Sequence, residues 1–149
     1  MDVHGTAQSE LTDEQAAAEY RKAAKNKAIV QAAIREVVIG KDPVAAERLY
    51  AENYIQHDPQ VPDGRETFVQ LLQSFPPNFK VEEGVTLAYG DFVLFYNRTT
   101  GFGPEPLIAA EIFRIENDKI VERWAVYQPD TDKTVSGHPL FTPDMAGSR

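Results

Sequence analysis

Apolar and polar residues alternate most regularly over Ala110–Glu116 and Lys119–Tyr127, two runs separated only by Asn117-Asp118. Period-two alternation predicts strands. Asn and Asp tolerate the positive φ that a two-residue hairpin turn demands, so the pair is expected to be antiparallel. With Glu116 opposite Lys119, simple counting sets Glu111 opposite Trp124. One face then carries Glu111, Phe113, Ile115, Ile120, Glu122, Trp124 and Val126, and the other carries Ala110, Ile112, Arg114, Val121, Arg123, Ala125 and Tyr127. A β-bulge would reverse part of this facing. Both faces are mainly apolar, which predicts that both are covered, one by helices and the other by a second subunit.

Upstream the period changes to that of helices. Thr12 followed three residues later by Gln15 reads as a capping box opening a helix to about Val38, with Ile29, Val30, Ala33, Ile34, Val37 and Val38 as its core face and Gly40 as its stop. Asp42-Pro43 starts a second helix with Ala46, Leu49 and Tyr50 on its apolar side. A third, from about Arg65 to Ser74, buries Phe68, Leu71, Leu72 and Phe75 before Pro76-Pro77 ends it. Strands are expected at Phe79–Glu83, Val85–Tyr89, Phe92–Thr99, Glu105–Ile115 and Lys119–Gln128, with Gly90-Asp91 as a hairpin turn. Gly101-Phe102-Gly103-Pro104 forms a longer loop that could lie over a pocket mouth. Helices followed by strands predict an α+β fold, a cone-shaped curved antiparallel sheet packed on three N-terminal helices, whose interior suits a small-molecule cavity. The expected organisation is a flexible terminus over 1–12, one domain over 13–130 and an extended, polar tail over 131–149.

The chain has 149 residues, enough for one ordinary domain without metal or disulfide staples. It contains no cysteine, which excludes a thiolate nucleophile and a cysteine-ligated zinc site. The net charge of −8, with basic residues scattered, argues against nucleic acid as a partner. The one local cluster, Arg21, Lys22, Lys25 and Lys27, reads as a solvated helix face. No run reaches the roughly 18 apolar residues of a membrane span, and Met1–Glu10 has neither a basic nor an apolar leader segment. A cytoplasmic protein without a membrane partner is expected. There is no phosphate-binding glycine loop and no nucleophile elbow.

The order of elements, together with Tyr54-Ile55-Gln56-His57-Asp58-Pro59, Phe113-Arg114 and Ile120-Val121-Glu122-Arg123-Trp124, resembles the SnoaL-like polyketide cyclases, which share the nuclear transport factor 2 fold. The resemblance spans about Asn26 to Pro129. It implies a cofactor-free enzyme that closes a ring by aldol condensation with a carboxylic acid and a histidine or other polar groups in the cone. In many related sequences the tryptophan of this hairpin is preceded by histidine and followed by an aspartate, the candidate acid/base; here those positions hold Arg123 and Ala125. Alanine transfers no proton. Either another carboxylate acts, Glu111 first among them, or the pocket persists without the reaction.

Two residues are therefore the catalytic candidates. Glu111 in an apolar cone would act as general acid or base, and its plainer reading is a strand carboxylate paired with Arg123 or Arg98. His57, in a loop between helices and sheet, would take or donate a proton with Asp58 or Tyr54 fixing its tautomer; the plainer reading is a turn hydrogen bonder. Tyr54, Asp58, Phe113, Arg123, Trp124 and Tyr127 are the expected substrate-binding set, although large aromatics also fill ordinary cores. No histidine spacing suggests a metal. The expected function is a cofactor-independent lyase or isomerase for a hydrophobic, carbonyl-bearing small molecule, and the alternative is a non-catalytic binding or dimerisation module. In either case a homodimer is expected.

Overall fold

The computed structural model describes residues 10–145, so most of the expected flexible terminus, 1–9, and residues 146–149 of the tail lie outside the described residues. Helix α1 (Asp13–Ala32) starts at the Thr12–Gln15 capping box, with Thr12 Oγ1 accepting from Gln15 N at 3.1 Å and Gln15 Oε1 accepting from Thr12 N at 2.9 Å. It runs on into a seven-residue π-helical segment, Ala33–Ile39, then α2 (Pro43–Leu49) capped by Asp42. After β1 (Tyr50–His57) come α3 (Arg65–Gln73), β2 (Lys80–Tyr89), β3 (Phe92–Thr100), β4 (Leu107–Glu116) and β5 (Lys119–Pro129). The π turn widens the end of the first helix and leaves Ile34 and Val38 on the cavity wall.

The five strands form one open sheet in the order β1-β5-β4-β3-β2. All neighbours are antiparallel except β1 and β5, so the sheet is mixed rather than purely antiparallel. Two expectations are corrected here. Tyr50–His57 is a strand, not the end of a helix and a loop; and the two segments expected at Phe79–Glu83 and Val85–Tyr89 are one strand with a register shift at Gly84. At that position an added Cβ would sit 3.0 Å from both Phe141 and Tyr96 side chains.

The inner face of the sheet and the three helices enclose one core containing Val30, Val37, Leu49, Leu72, Val93, Phe113 and Ile120. Each such side chain contributes about 1.5–3 kcal/mol through burial. Asn26 Nδ2 on α1 donates to Gly90 O at 3.0 Å and Lys119 Nζ to Glu47 O at 2.8 Å, which tie the helices to the hairpin ends. Among the described residues the segment after β5 has no helix or strand, yet it is anchored. Phe141 is buried on the outer face, where the Arg98 guanidinium lies 4.9 Å from its ring centroid, and Tyr96 Oη donates to Leu140 O. Among the described residues no helix is long and apolar enough to cross a membrane.

Candidate active site

The hairpin turn forms as expected, with Asn117 and Asp118 at φ 50° and 62°, and Glu116 pairs with Lys119 and Ile115 with Ile120. The register then shifts. Arg114 pairs with Glu122, so one extra residue sits in β5, and Phe113 pairs with Arg123, Ile112 with Trp124 and Glu111 with Ala125. The facing expected for the far half of β5 is thereby reversed: Arg123, Ala125 and Tyr127 join Glu111 and Phe113 on the inner face, while Glu122, Trp124 and Val126 turn outward.

Arg123 is the hub of the inner polar cluster. Its Nε and Nη2 donate to Glu111 Oε1 at 2.8 and 2.6 Å, its Nη1 to Gln56 Oε1 at 3.1 Å and Asp58 Oδ2 at 3.3 Å, and its Nη2 also to Tyr127 Oη at 2.7 Å. All five N–H groups of the guanidinium are thus used. Tyr127 Oη donates onward to Asp58 Oδ2 at 2.9 Å, and Asp58 Oδ1 accepts from Gln60 N at 2.8 Å. On the other side Asn97 Nδ2 donates to Glu111 Oε2 at 2.6 Å, and Thr99 Oγ1 fixes the Asn97 amide by donating to its Oδ1 at 2.7 Å. Glu111, Arg123, Asp58 and Asn97 are all buried. Burial is the largest single influence on Arg123 and opposes its charge, but the Glu111 carboxylate and the Tyr127 and Tyr54 phenols together outweigh it, and the guanidinium is held well above its ordinary range. Burial also pushes the phenols of Tyr127, Tyr50 and Tyr54 upward, so all three remain protonated donors at neutral pH.

This cluster closes one end of a cavity of about 60 Å³ whose other walls are apolar, among them Ile34, Phe68, Leu72, Phe95 and Phe113. Phe102, on the loop between β3 and β4, caps it. Its ring stacks on Tyr127 (centroids 5.6 Å, 23° between planes) and meets Phe75 edge-on at 5.7 Å. On its outer side lies a surface cleft of about 460 Å³ lined by Asp58, Phe102 and Tyr127. Gly101, at φ +91°, lets this loop pass Phe79, whose Cα a side chain at 101 would approach to 2.9 Å.

Of the expected site residues, the cone brings together Glu111, Arg123, Tyr127, Asp58 and Phe113. Tyr54 is fully buried behind them, its hydroxyl accepting from Gln56 Nε2 at 3.0 Å. His57 and Trp124 are elsewhere. They stack on each other on the outer face (centroids 4.9 Å, 1°), with His57 Nε2 2.7 Å from Glu122 Oε2. The two residues expected to share a proton therefore face opposite sides of the sheet, because β1 pairs His57 with Trp124, whose side chain points outward. Asn97, Gln56, Thr99 and Tyr50 belong to the inner face or cavity and escaped the sequence reading. Asn97 alone carried a signal, as an amide at an inward position of the regular run Phe92–Thr99. Among the described residues no three His, Asp or Glu side chains converge as a metal site.

An open sheet coned around three helices with a polar cluster at one end of its cavity is the architecture of the NTF2-like proteins. A family model, the SnoaL-like domain, matches residues 13–123, and the chain belongs to that family. No curated protein matches it in sequence. Its fold is similar to that of a ketosteroid isomerase candidate from Kribbella flavida (TM-score 0.64, 16% identity, 76% of this chain and 84% of that one). It is also similar to an NTF2-like protein of unknown function from Cytophaga hutchinsonii (0.60, 19%, 70% and 90%). A third similar structure is IdmH, a candidate polyketide cyclase from Streptomyces antibioticus (0.53, 20%, 69% and 91%). At these identities the likeness is one of fold.

Proposed function

We propose that the cone is the site of a cofactor-independent lyase or isomerase in which Glu111 moves a proton at the carbon beside a carbonyl group of a hydrophobic small molecule. The observation that carries this reading is the ionic pair of Glu111 and Arg123 at one end of an otherwise apolar cavity. A buried pair is a weak contributor to stability compared with apolar packing, and such clusters in cavities mark functional sites. A carboxylate offers about four lone-pair positions. Three donors reach Glu111, which leaves capacity for a substrate proton. The pairing of Glu111 with Ala125 also supports the reading, since a carboxylate at 111 stands at the level of the cone where the family's aspartate would stand on the neighbouring strand. Glu111 would take the proton, Arg123 would hold the carboxylate in place, and return of the proton to another atom, or attack of the enolate on a second carbonyl, would complete an isomerisation or a ring closure. His57 has no part in this scheme. The fold neighbours include an isomerase candidate and a cyclase candidate, both compatible with it.

A second reading, a binding module without turnover, is favoured by one observation: every N–H of Arg123 is satisfied within the protein, and the cavity of about 60 Å³ is well below the 300–1,000 Å³ typical of ligand sites. Deuterium exchange separates the two. In D2O with a panel of aromatic and alicyclic ketones and lactones, the enzyme reading expects proton NMR to show loss of α-proton signal faster than in buffer, and expects Glu111→Gln to return the rate to that of buffer. Binding without exchange for every compound would make the chain a binding module.

The homodimer belongs to the same proposal. Leu87, Tyr89, Phe92, Ile112 and Val126 are exposed on the outer sheet face, an apolar patch suited to a second copy. Light scattering is expected to give the mass of two chains, and Ile112→Glu to reduce it to one.

A further inference from the structure

Tyr50, the first residue of β1, is 1% exposed. Its ring meets Tyr54 edge-on at 5.0 Å and Phe68 at 5.2 Å, and its backbone carbonyl accepts from Arg65 Nη1 at 3.2 Å. These contacts belong to the ring and the main chain, and phenylalanine would make them equally well. The hydroxyl is different: among the described residues it has no hydrogen-bond partner, whereas the hydroxyls of the other buried or half-buried tyrosines, Tyr54, Tyr96 and Tyr127, are all bonded within the protein. No side-chain nitrogen or oxygen among the described residues is both sealed from open space and unpartnered. The Tyr50 oxygen therefore opens onto the cavity that its residue lines with Glu111, Arg123 and Phe113. An interior hydroxyl left without a partner is a liability to the fold unless something else accepts its proton.

We propose that Tyr50 is a substrate-binding residue whose hydroxyl donates to the carbonyl oxygen of the ligand while Glu111 addresses the adjacent carbon. This rests on the reading of the cone as a carbonyl site and names the group that would hold the carbonyl. The electron balance is simple. Glu111 accepts the proton, the C–H pair becomes a C=C bond, and the carbonyl π pair moves to the oxygen, where the phenol's hydrogen bond strengthens as charge develops. Burial keeps the phenol protonated, so it donates in both states.

The test uses two matched probes, 1-indanone and indane, titrated by NMR into the full chain and its Tyr50→Phe variant. Wild type is expected to bind the ketone more tightly than the hydrocarbon. Tyr50→Phe is expected to bind the ketone about tenfold more weakly, the effect of one lost hydrogen bond, with indane affinity unchanged and thermal stability equal or higher. A structural hydroxyl would instead lower stability and leave the ratio of the two affinities as it was, which would overturn the assignment. If Tyr50→Phe changes nothing while wild type still exchanges α-protons in a Glu111-dependent way, the Tyr50 role falls and the reading of the cavity stands. If wild type binds neither probe and exchanges no ketone, both fall.

Discussion

Arg123 directs its Nε and Nη2 at a single oxygen of Glu111, 2.8 and 2.6 Å away, and leaves the other oxygen to Asn97. The guanidinium does not form the two-oxygen fork usual for this pair, and its Nη1 reaches Gln56 and Asp58 on β1 and the loop after it. One cation thus joins carboxylates from two sides of the cone, and the inner strands β4 and β5 are tied to the edge strand β1 through it.

That arrangement makes Arg123 the residue whose loss the fold tolerates least. Arg123→Met strands Glu111 and Asp58 in the interior, and removal of one partner of a buried pair costs about 3–5 kcal/mol. Urea denaturation should show a loss of that size. A loss under about 1 kcal/mol would mean that water already reaches the cluster well enough to replace the guanidinium.

The pairing of Glu111 with Ala125 permits a transfer of the carboxylate between strands. Ala125→Asp alone sets two carboxylates directly opposite each other and should destabilise the protein, since like charges across a strand pair repel. Glu111→Ala combined with Ala125→Asp should relieve that repulsion and recover part of the α-proton exchange lost in Glu111→Ala. Exchange that stays at the buffer level in the double variant would show that position 111 itself, and not the level of the cone, is what the reaction needs.

Much of this architecture is legible in the chain. The capping box at Thr12, the Asn117-Asp118 turn and the strand from Phe92 follow from local chemistry, and each is found where its residues place it. Two features are not local. The extra residue in β5 falls at Val121-Glu122, where no glycine or polar break marks a bulge, and a slip of one residue was enough to send Trp124 outward and Arg123 inward. Strand β1 pairs in parallel with β5 across more than sixty positions, with its own register shift between Tyr50 and Ile55, so its burial follows neither a period of two nor one of 3.6. From the sequence His57 therefore reads as a loop residue, and Gln56 and Tyr50 of the same strand carry no mark of the site.

The outer face gives a prediction about acid. Glu122 Oε1 accepts from Arg114 Nε at 3.0 Å and Oε2 lies 2.7 Å from His57 Nε2. The hydrogen bond to His57, ahead of the opposing desolvation and the bond to Arg114, holds the carboxyl below its ordinary value of 4.5. A carboxyl with a lowered folded pKa adds stability that is complete above its unfolded pKa and disappears as pH falls through the folded one. Stability followed by urea midpoint should therefore decline below about pH 4.5. Glu122→Gln should make that decline shallower, and an identical slope in the variant would show that Glu122 is equally free in the folded and unfolded chains.

Phe102 separates two volumes, the cavity of about 60 Å³ inside and the cleft of about 460 Å³ outside, and it does so with one ring held between Tyr127 and Phe75. A ligand of the size of 1-indanone exceeds the inner space as it stands, so entry requires that ring to leave its stack on Tyr127. Rotation of a half-buried side chain on a loop flanked by Gly101 and Gly103 is a small local motion compared with opening the sheet or the helices. Phe102→Ala removes the barrier without touching Glu111, Arg123 or Tyr50. The expected result is a rise of about tenfold or more in both association and dissociation rates of the ketone, read from NMR line shapes, with a much smaller change in Kd because contacts at the polar end are kept. Unchanged rates in Phe102→Ala would place the entrance elsewhere on the cone, and the cleft lined by Asp58 and Leu107 would then have no connection to the site.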